Sequence, residues 1–380
     1  MDFNLTEEQA AIREMALGFA ADRLEPKAVE WDEKSEFPDA VVRSVGELGL
    51  GGVYVREDVG GSGLGRLDAV LVFEALAHGC PSISSFISIH NMVAWMVDAF
   101  GTAAQRTTWL PKLCSMETIA SYCLTEPGAG SDAAALRTRA ATVGADWSLK
   151  GSKAFISGGG FSDLYLVMAR SGGDDARGIS AFLVEKGSPG LSYGANEKKM
   201  GWKAQPTALV NFDDCTVPGQ NLLGEEGMGF KYAMAGLDGG RLNIAASALG
   251  GAQAALDKAL RYATERKAFG KAISEFQSLQ FKLADMETEL QAARIFLYQA
   301  ASKLDAKTPD ATKYCAMAKR FVTDTAFKVA NDALQIHGGY GYLSDFGIEK
   351  IVRDLRVHQI LEGTNEIMRL IVSRSMLAER

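Results

Sequence analysis

The sequence predicts an α+β multidomain chain, with a helical N-terminal domain, a middle β-barrel or sandwich, and a C-terminal helical bundle. Three observations predict it. Residues 1–120 read as helical segments broken by glycine and proline. Residues 121–228 carry short strand-like runs between Gly/Pro turns. Residues 229–380 return to long stretches of helical period. At 380 residues the chain is long enough to bury the cores of two or three domains.

Each region has its own signals. Thr6 is placed to cap a first helix, with Glu7, Glu8 and Gln9 in its first turn. Pro38, Gly46 and the glycines at 49–52 and 60–65 divide the remainder of this region into segments. In the middle region, 164–169, 179–184 and 208–212 are strand-like, and Trp147 and Leu149 alternate with polar residues. The turns between them are Gly158-Gly159-Gly160, Gly172-Gly173-Asp174-Asp175 and Ser188-Pro189-Gly190. In the last region Leu279, Leu283, Met286, Leu290, Ala293 and Leu297 are spaced by four and three, the seam of a helix packed along its length. Thr308 and Pro309 read as a cap and first-turn pair opening another helix, which Gly338 and Gly339 terminate.

Composition narrows the function. Hydrophobic content of 47% and charged content of 23% are ordinary for a globular protein, and no apolar run of about 18 residues predicts membrane insertion. Net charge is −7 with no basic block, which argues against nucleic acid. The five cysteines are scattered and the four histidines share no ligand spacing, so neither a metal nor disulfides are expected. The acidic N-terminus resembles neither a signal peptide nor an Arg-rich transit peptide. The expected location is therefore cytoplasmic for a bacterial chain, or the mitochondrial matrix for a processed one.

Several segments can carry chemistry. Glu362-Gly363-Thr364-Asn365-Glu366 follows the apolar pair Ile360-Leu361. A carboxylate held against apolar neighbours becomes a stronger base near neutral pH, and the glycine after it lets a flat ligand or a thioester approach. Taken alone, the same residues read first as a turn and a helix start, because a single Glu-Gly pair is common. The string from Tyr122 through Leu124, Thr125, Gly130 and Ser131 to Asp132 offers hydroxyls and free backbone N–H groups for the polar edge of a planar cofactor and a phosphate. Phe155-Ile156-Ser157, before three glycines, can wall a flavin ring or simply end a strand. Asp238-Gly239-Gly240-Arg241 puts two glycines inside a helix, where each costs about 1 kcal/mol relative to alanine, so either a ligand or another helix comes close. Arg266, then Phe276 and Gln277, follow the end of that helix, and Arg266 suits a pyrophosphate. Gln335-Ile336-His337-Gly338-Gly339 is a helix end whose backbone can reach a phosphate or ribose. The glycines at 60–65 do not match a dinucleotide fingerprint and no βαβ unit surrounds them.

Together these segments resemble the acyl-CoA dehydrogenases, in order and spacing, over essentially the whole chain. The strings Gly201-Trp202-Lys203-Ala204-Gln205-Pro206-Thr207 and Val357-His358-Gln359-Ile360-Leu361 most resemble the isobutyryl-CoA branch of that family. The resemblance implies the acyl-CoA dehydrogenase fold, with a C-terminal four-helix bundle, non-covalent FAD and a homotetramer. It implies dehydrogenation of a short, branched acyl-CoA, isobutyryl-CoA to methacrylyl-CoA in valine catabolism, with electrons passed to an electron-transfer flavoprotein. Glu362 aligns with the family's α-proton base. Tyr122, Leu124, Thr125, Gly130, Ser131, Phe155, Ile156 and Ser157 match flavin contacts, as do Thr364, Asn365 and Glu366. Arg266, Phe276, Gln277, Gln335, Ile336, His337, Gly338 and Gly339 match contacts to FAD held mainly by a neighbouring subunit. Ser131, Asp238, Gly239, Gly240, Arg241 and Gly363 match contacts to the substrate. Many relatives have Trp where Phe155 stands. A related branch takes its base from the position of Gly240, which here has no side chain. The alternatives are a short-chain or 2-methylbutyryl-CoA dehydrogenase, a flavin oxidase on the same scaffold, and a flavin-free helical scaffold.

Overall fold

The computed structural model describes residues 4–378. Helices α1 (Glu7–Phe19), α2 (Ala28–Lys34), α3 (Asp39–Ser44), α4 (Arg66–Gly79), α5 (Pro81–Phe100) and α6 (Ala103–Cys114) build the N-terminal region. Thr6 caps α1 as its sequence predicts: its hydroxyl accepts from the Gln9 N–H at 3.2 Å, and the Gln9 side chain accepts from the Thr6 N–H at 3.1 Å. Thr102 and Gln105 repeat the device at α6. Helices α4 and α5 are apolar nearly all round, so they can only be stable as a buried layer.

Strands β1 (Ala120–Cys123), β2 (Arg139–Val143), β3 (Asp146–Ser157), β4 (Leu164–Arg170), β5 (Ile179–Glu185), β6 (Leu191–Tyr193) and β7 (Thr207–Val217) come next in the chain. The barrel-or-sandwich expectation takes the form of one curled seven-stranded sheet, ordered β1-β4-β2-β3-β7-β6, with β5 also on β4. Every residue of β4 is buried because both faces are covered. Leu164, Leu166 and Met168 pack with Met92 and Val93 of α5 and Leu110 of α6. Tyr165, Val167 and Ala169 pack with Trp147, Phe182 and Val217 on the face the sheet curls around.

The C-terminal region holds α7 (Gly229–Glu265), a small hairpin of β8 (Lys267–Ala268) and β9 (Lys271–Ala272), then α8 (Gln277–Asp305), α9 (Ala311–His337), α10 (Ile348–Arg356) and α11 (Asn365–Ala378). Gly and Ala along α7 let α4, α5, α8 and α9 pack around it. The α8 seam is buried at Met286, Leu290, Ala293 and Leu297, with Leu279 and Leu283 partly buried at its start. Helix α9 begins two residues later than Pro309 suggests. The Asp310 carboxylate takes bonds from Thr308 Oγ1 at 2.7 Å and Lys303 Nζ at 2.8 Å, which fixes the entry turn. The helix stops at His337, where Gly338 turns left-handed. No helix among the described residues is long and apolar enough to cross a membrane, and the five cysteines are buried and free.

Candidate active site

The site forms where α5, α7, α9 and the turn before α11 meet. In that turn Glu362 (φ +55°) and Gly363 (φ +91°) are consecutive left-handed residues, a conformation costing a glutamate about 1–3 kcal/mol. Glu362 Oε2 is buried with no hydrogen-bond partner. Burial pushes its carboxyl up to about 7, although the cations of Arg241 and Lys319 pull it back. Oε2 lies 2.7 Å from where a Cβ on Gly240 would stand, and Met92 Sδ lies 3.0 Å from the same point. The carboxylate thus occupies space that only glycine at 240 leaves open.

Charged and polar neighbours complete the pocket. Arg241 is buried; it donates to Asp238 Oδ1 at 2.6 Å and its Nε approaches the Glu362 carbonyl at 3.5 Å. Thr312 at the start of α9 donates to the other Asp238 oxygen at 2.6 Å, so α7 and α9 share this ion pair. The Tyr122 hydroxyl is buried and unpartnered, and burial together with the charge of Glu362 pushes its pKa well up. Arg66 Nη1 is a third unpartnered buried atom. Its guanidinium stacks 3.8 Å from the Tyr54 ring centre and 4.6 Å from that of Trp95, and a Cβ on Gly239 would stand 2.3 Å from Nη1. Two of these orphaned atoms, Glu362 Oε2 and Arg66 Nη1, stand over the adjacent glycines 240 and 239, a place suited to a bound molecule.

A second construction fixes the loop after β1. Lys153 is fully buried in β3 and donates to the Leu124 carbonyl at 3.0 Å and Glu126 Oε1 at 2.7 Å. The Glu126 carboxylate also accepts from the N–H groups of Arg137 at 2.6 Å and Thr138 at 2.9 Å. The loop is therefore rigid on its inner side, while Cβ atoms at Gly128 and Gly130 would meet open space and Ser131 is exposed. Beside it, β3 slips register against β7 between Lys153 and Ile156. Phe155 sits in that bulge at φ +58° and is 68% exposed.

Comparison with known proteins shows the family. Models of the acyl-CoA dehydrogenase N-terminal, middle and C-terminal domains match residues 6–117, 121–215 and 227–377. The chain belongs to the acyl-CoA dehydrogenase family. It is 53% identical over 375 residues to the mitochondrial isobutyryl-CoA dehydrogenase of Bos taurus, covering 99% of this chain and 90% of that one. It is 55% identical over 373 residues to that of Dictyostelium discoideum, covering 98% and 90%. Among solved structures it is similar to butyryl-CoA dehydrogenase from Megasphaera elsdenii, with a TM-score of 0.96, 40% identity, and 99% and 100% of the two chains covered.

Acyl-CoA dehydrogenases are FAD-dependent oxidoreductases. The residues of this chain fit that group. The exposed Phe155 ring offers an apolar face to a flat heterocycle, and the open glycines of the loop after β1 offer backbone N–H groups. Of the other expected cofactor residues, Arg266, Ile336, His337, Gly338 and Gly339 line a cavity of about 370 Å³ with Tyr262 and Tyr340. Arg266 lies over the Tyr340 ring at 5.4 Å; His337 donates to the Ala333 carbonyl at 2.8 Å and stacks on Tyr262 at 4.5 Å. Phe276 packs against Phe269 at 6.1 Å, while Gln277 and Gln335 are exposed. Lys319, at the Glu362 turn, and His337 are 18 positions apart on α9, about 27 Å. One chain therefore gathers the expected residues into two groups and does not merge them.

Three expected cofactor residues have side chains engaged elsewhere. Asn365 does not offer its side chain to a cofactor: it is buried, accepts from Lys319 at 2.9 Å, and donates to Thr323 at 3.0 Å and Asp324 at 2.7 Å. Ile156 is 2% exposed and packs in the core of the sheet, because the bulge turns Phe155 out and its neighbour in. Glu366 projects to solvent, 3.7 Å from Arg369. Thr364 caps α11, accepting from the Ile367 N–H at 3.3 Å. Residues not singled out in the sequence include Lys153, Lys319, Tyr54 and Arg66. Lys319 leaves a signal, since it interrupts the helical-period apolar stripe of Cys315, Ala318 and Val322; Lys153 leaves none.

Proposed function

We propose that this chain, with FAD bound, oxidises a short, branched acyl-CoA across its α,β-bond, isobutyryl-CoA to methacrylyl-CoA as in valine catabolism, and passes the electrons to an electron-transfer flavoprotein. The observation that carries the reaction is Glu362: a buried, unpartnered carboxylate oxygen whose pKa is raised to about 7, beside the gap left by Gly240. The acyl chain rests on the isobutyryl-CoA dehydrogenases 53% and 55% identical to it.

FAD, when bound, supplies the acceptor for the hydride from the β-carbon. Glu362 takes the α-proton, and a base with a pKa near the working pH combines a useful ionised fraction with adequate strength. The Glu362 N–H, which makes no hydrogen bond among the described residues, is free to donate to the thioester oxygen as enolate charge develops. Gly363 follows Glu362 in the left-handed conformation that lets the turn pass beside the thioester. Ser131, Asp238, Gly239 and Arg241 serve the CoA portion. Tyr122, Leu124, Thr125, Gly130, Phe155 and Ser157 hold the flavin. The group around Arg266 and His337, about 27 Å away along α9, would serve FAD on a neighbouring subunit of a homotetramer.

Anaerobic bleaching of the purified yellow enzyme by a panel of acyl-CoAs tests the reading. Isobutyryl-CoA should bleach fastest. Faster bleaching by butyryl- or 2-methylbutyryl-CoA would reassign the substrate. Oxygen consumption at the rate of turnover would make the chain an oxidase, and a protein that takes up no FAD would end the proposal.

A further inference from the structure

Lys319 lies on the inward face of α9 with Cys315, Ala318 and Val322 and is fully buried. Its ammonium donates to the Gly363 carbonyl at 2.8 Å and to Asn365 Oδ1 at 2.9 Å, so its hydrogen bonds end on neutral groups. A buried cation held by neutral acceptors is costly, and its position needs a reason. Asn365 is tied in turn to Thr323 and Asp324, one helical turn further along α9. One face of α9 thus grips residues 363 and 365, immediately after the left-handed Glu362.

We propose that Lys319 is a positioning residue for proton abstraction: its ammonium locks the turn that presents Glu362, and its charge favours the ionised form of that carboxylate. This rests on Glu362 being the base. The other groups around Glu362 are paired, neutral, stacked on rings or at the rim; from α4, Arg66 lies over the Tyr54 and Trp95 rings. From α7, Arg241 is paired with Asp238; from β1 and the segment before α4, Tyr122 and Tyr54 are neutral phenols whose pKa values burial raises. From α9, Asp324 is bonded to Asn365 and Gln359; from α11, Glu366 faces solvent beside Arg369. Burial brings Lys319 down to about 7, the range to which it brings Glu362 up, so the two titrate as a coupled pair.

The test compares FAD-loaded Lys319→Met, nearly isosteric but uncharged, with Asn365→Ala, which keeps the charge and loosens the clamp. The protonated-carboxyl infrared band of Glu362, assigned by difference from Glu362→Gln, is followed against pH alongside kcat and KM. Lys319→Met should move the band midpoint alkaline by about one unit, because it removes a neighbouring cation. It should also lower kcat at pH 7 by about tenfold or more, with partial recovery at higher pH and little change in KM. Asn365→Ala should lower kcat about tenfold with the midpoint unmoved and no recovery at higher pH. An unmoved midpoint and wild-type kcat in Lys319→Met would overturn the inference. If that variant does not fold, Lys319→Gln is read the same way, and wild-type kcat in Asn365→Ala overturns the positioning role. A fully active Glu362→Gln would instead sink the base assignment itself, whereas an inactive one beside unaffected Lys319 variants sinks only this inference.

Discussion

Replacing Glu362 with glutamine separates what the carboxylate does for the reaction from what it costs the fold. Its carboxyl is raised from 4.5 to about 7, chiefly by burial. A folded pKa above the unfolded one means that folding takes up a proton. The associated stability is fully present below pH 4.5 and is lost as pH rises through 7. The gap of about 2.5 units, at about 1.4 kcal/mol per unit, corresponds to about 3 kcal/mol lost at pH 8 and less than about 1 kcal/mol at pH 5. Glutamine is neutral throughout. Lys319, itself lowered to about 7, can give up its proton at pH 8 once the carboxylate is gone, so it does not cancel the gain. Glu362→Gln should therefore be more stable than the native protein by about 3 kcal/mol at pH 8, with most of the difference closing at pH 5. Urea unfolding of both FAD-saturated proteins at the two pH values measures this. The same variant should lose about 10³-fold or more in turnover, the scale of a general base. A stability difference that does not change with pH, or retained turnover, would refute the reasoning.

Three further outcomes rest on the geometry. Lys153→Met leaves Glu126 charged and buried without its partner; it should cost about 3–5 kcal/mol in urea unfolding and weaken FAD binding measured by flavin fluorescence. Gly240→Ala puts a methyl 2.7 Å from Glu362 Oε2; kcat should fall about 10²-fold while near-UV circular dichroism stays native. Phe155→Ala removes an exposed ring and should change unfolding by less than about 0.5 kcal/mol, yet raise the dissociation constant for FAD in an apoprotein titration.

Much of the fold was legible because it depends on local period and local hydrogen bonding. The Thr6 cap, the α8 seam and the strands near 164, 179 and 208 need no partner to be recognised. Glu362 Oε2 is buried as expected, but beside Met92 and Gly240 rather than Ile360, which is 50% exposed. Side-chain surroundings were not legible where a neighbour in sequence is not a neighbour in space. Asn365 continues the Glu-Gly-Thr string, but the first turn of α11 swings it onto α9, where it meets residues 41–46 positions earlier. Ile156 follows Phe155 but lies on the other side of a bulge that pairing with β7 creates.

The sequence by itself determined the order of the three regions, most of the helix and strand positions, and the few acidic and glycine-rich segments able to carry a reaction. It did not determine which lysine is buried, which carboxylate oxygen lacks a partner, or how strongly Glu362 binds a proton. Those were decided by the tertiary structure, because desolvation and charge act through space. Gly240 and Arg241 reach the Glu362 turn from α7, and Lys319 reaches it from α9, 44 positions before Gly363 in the chain.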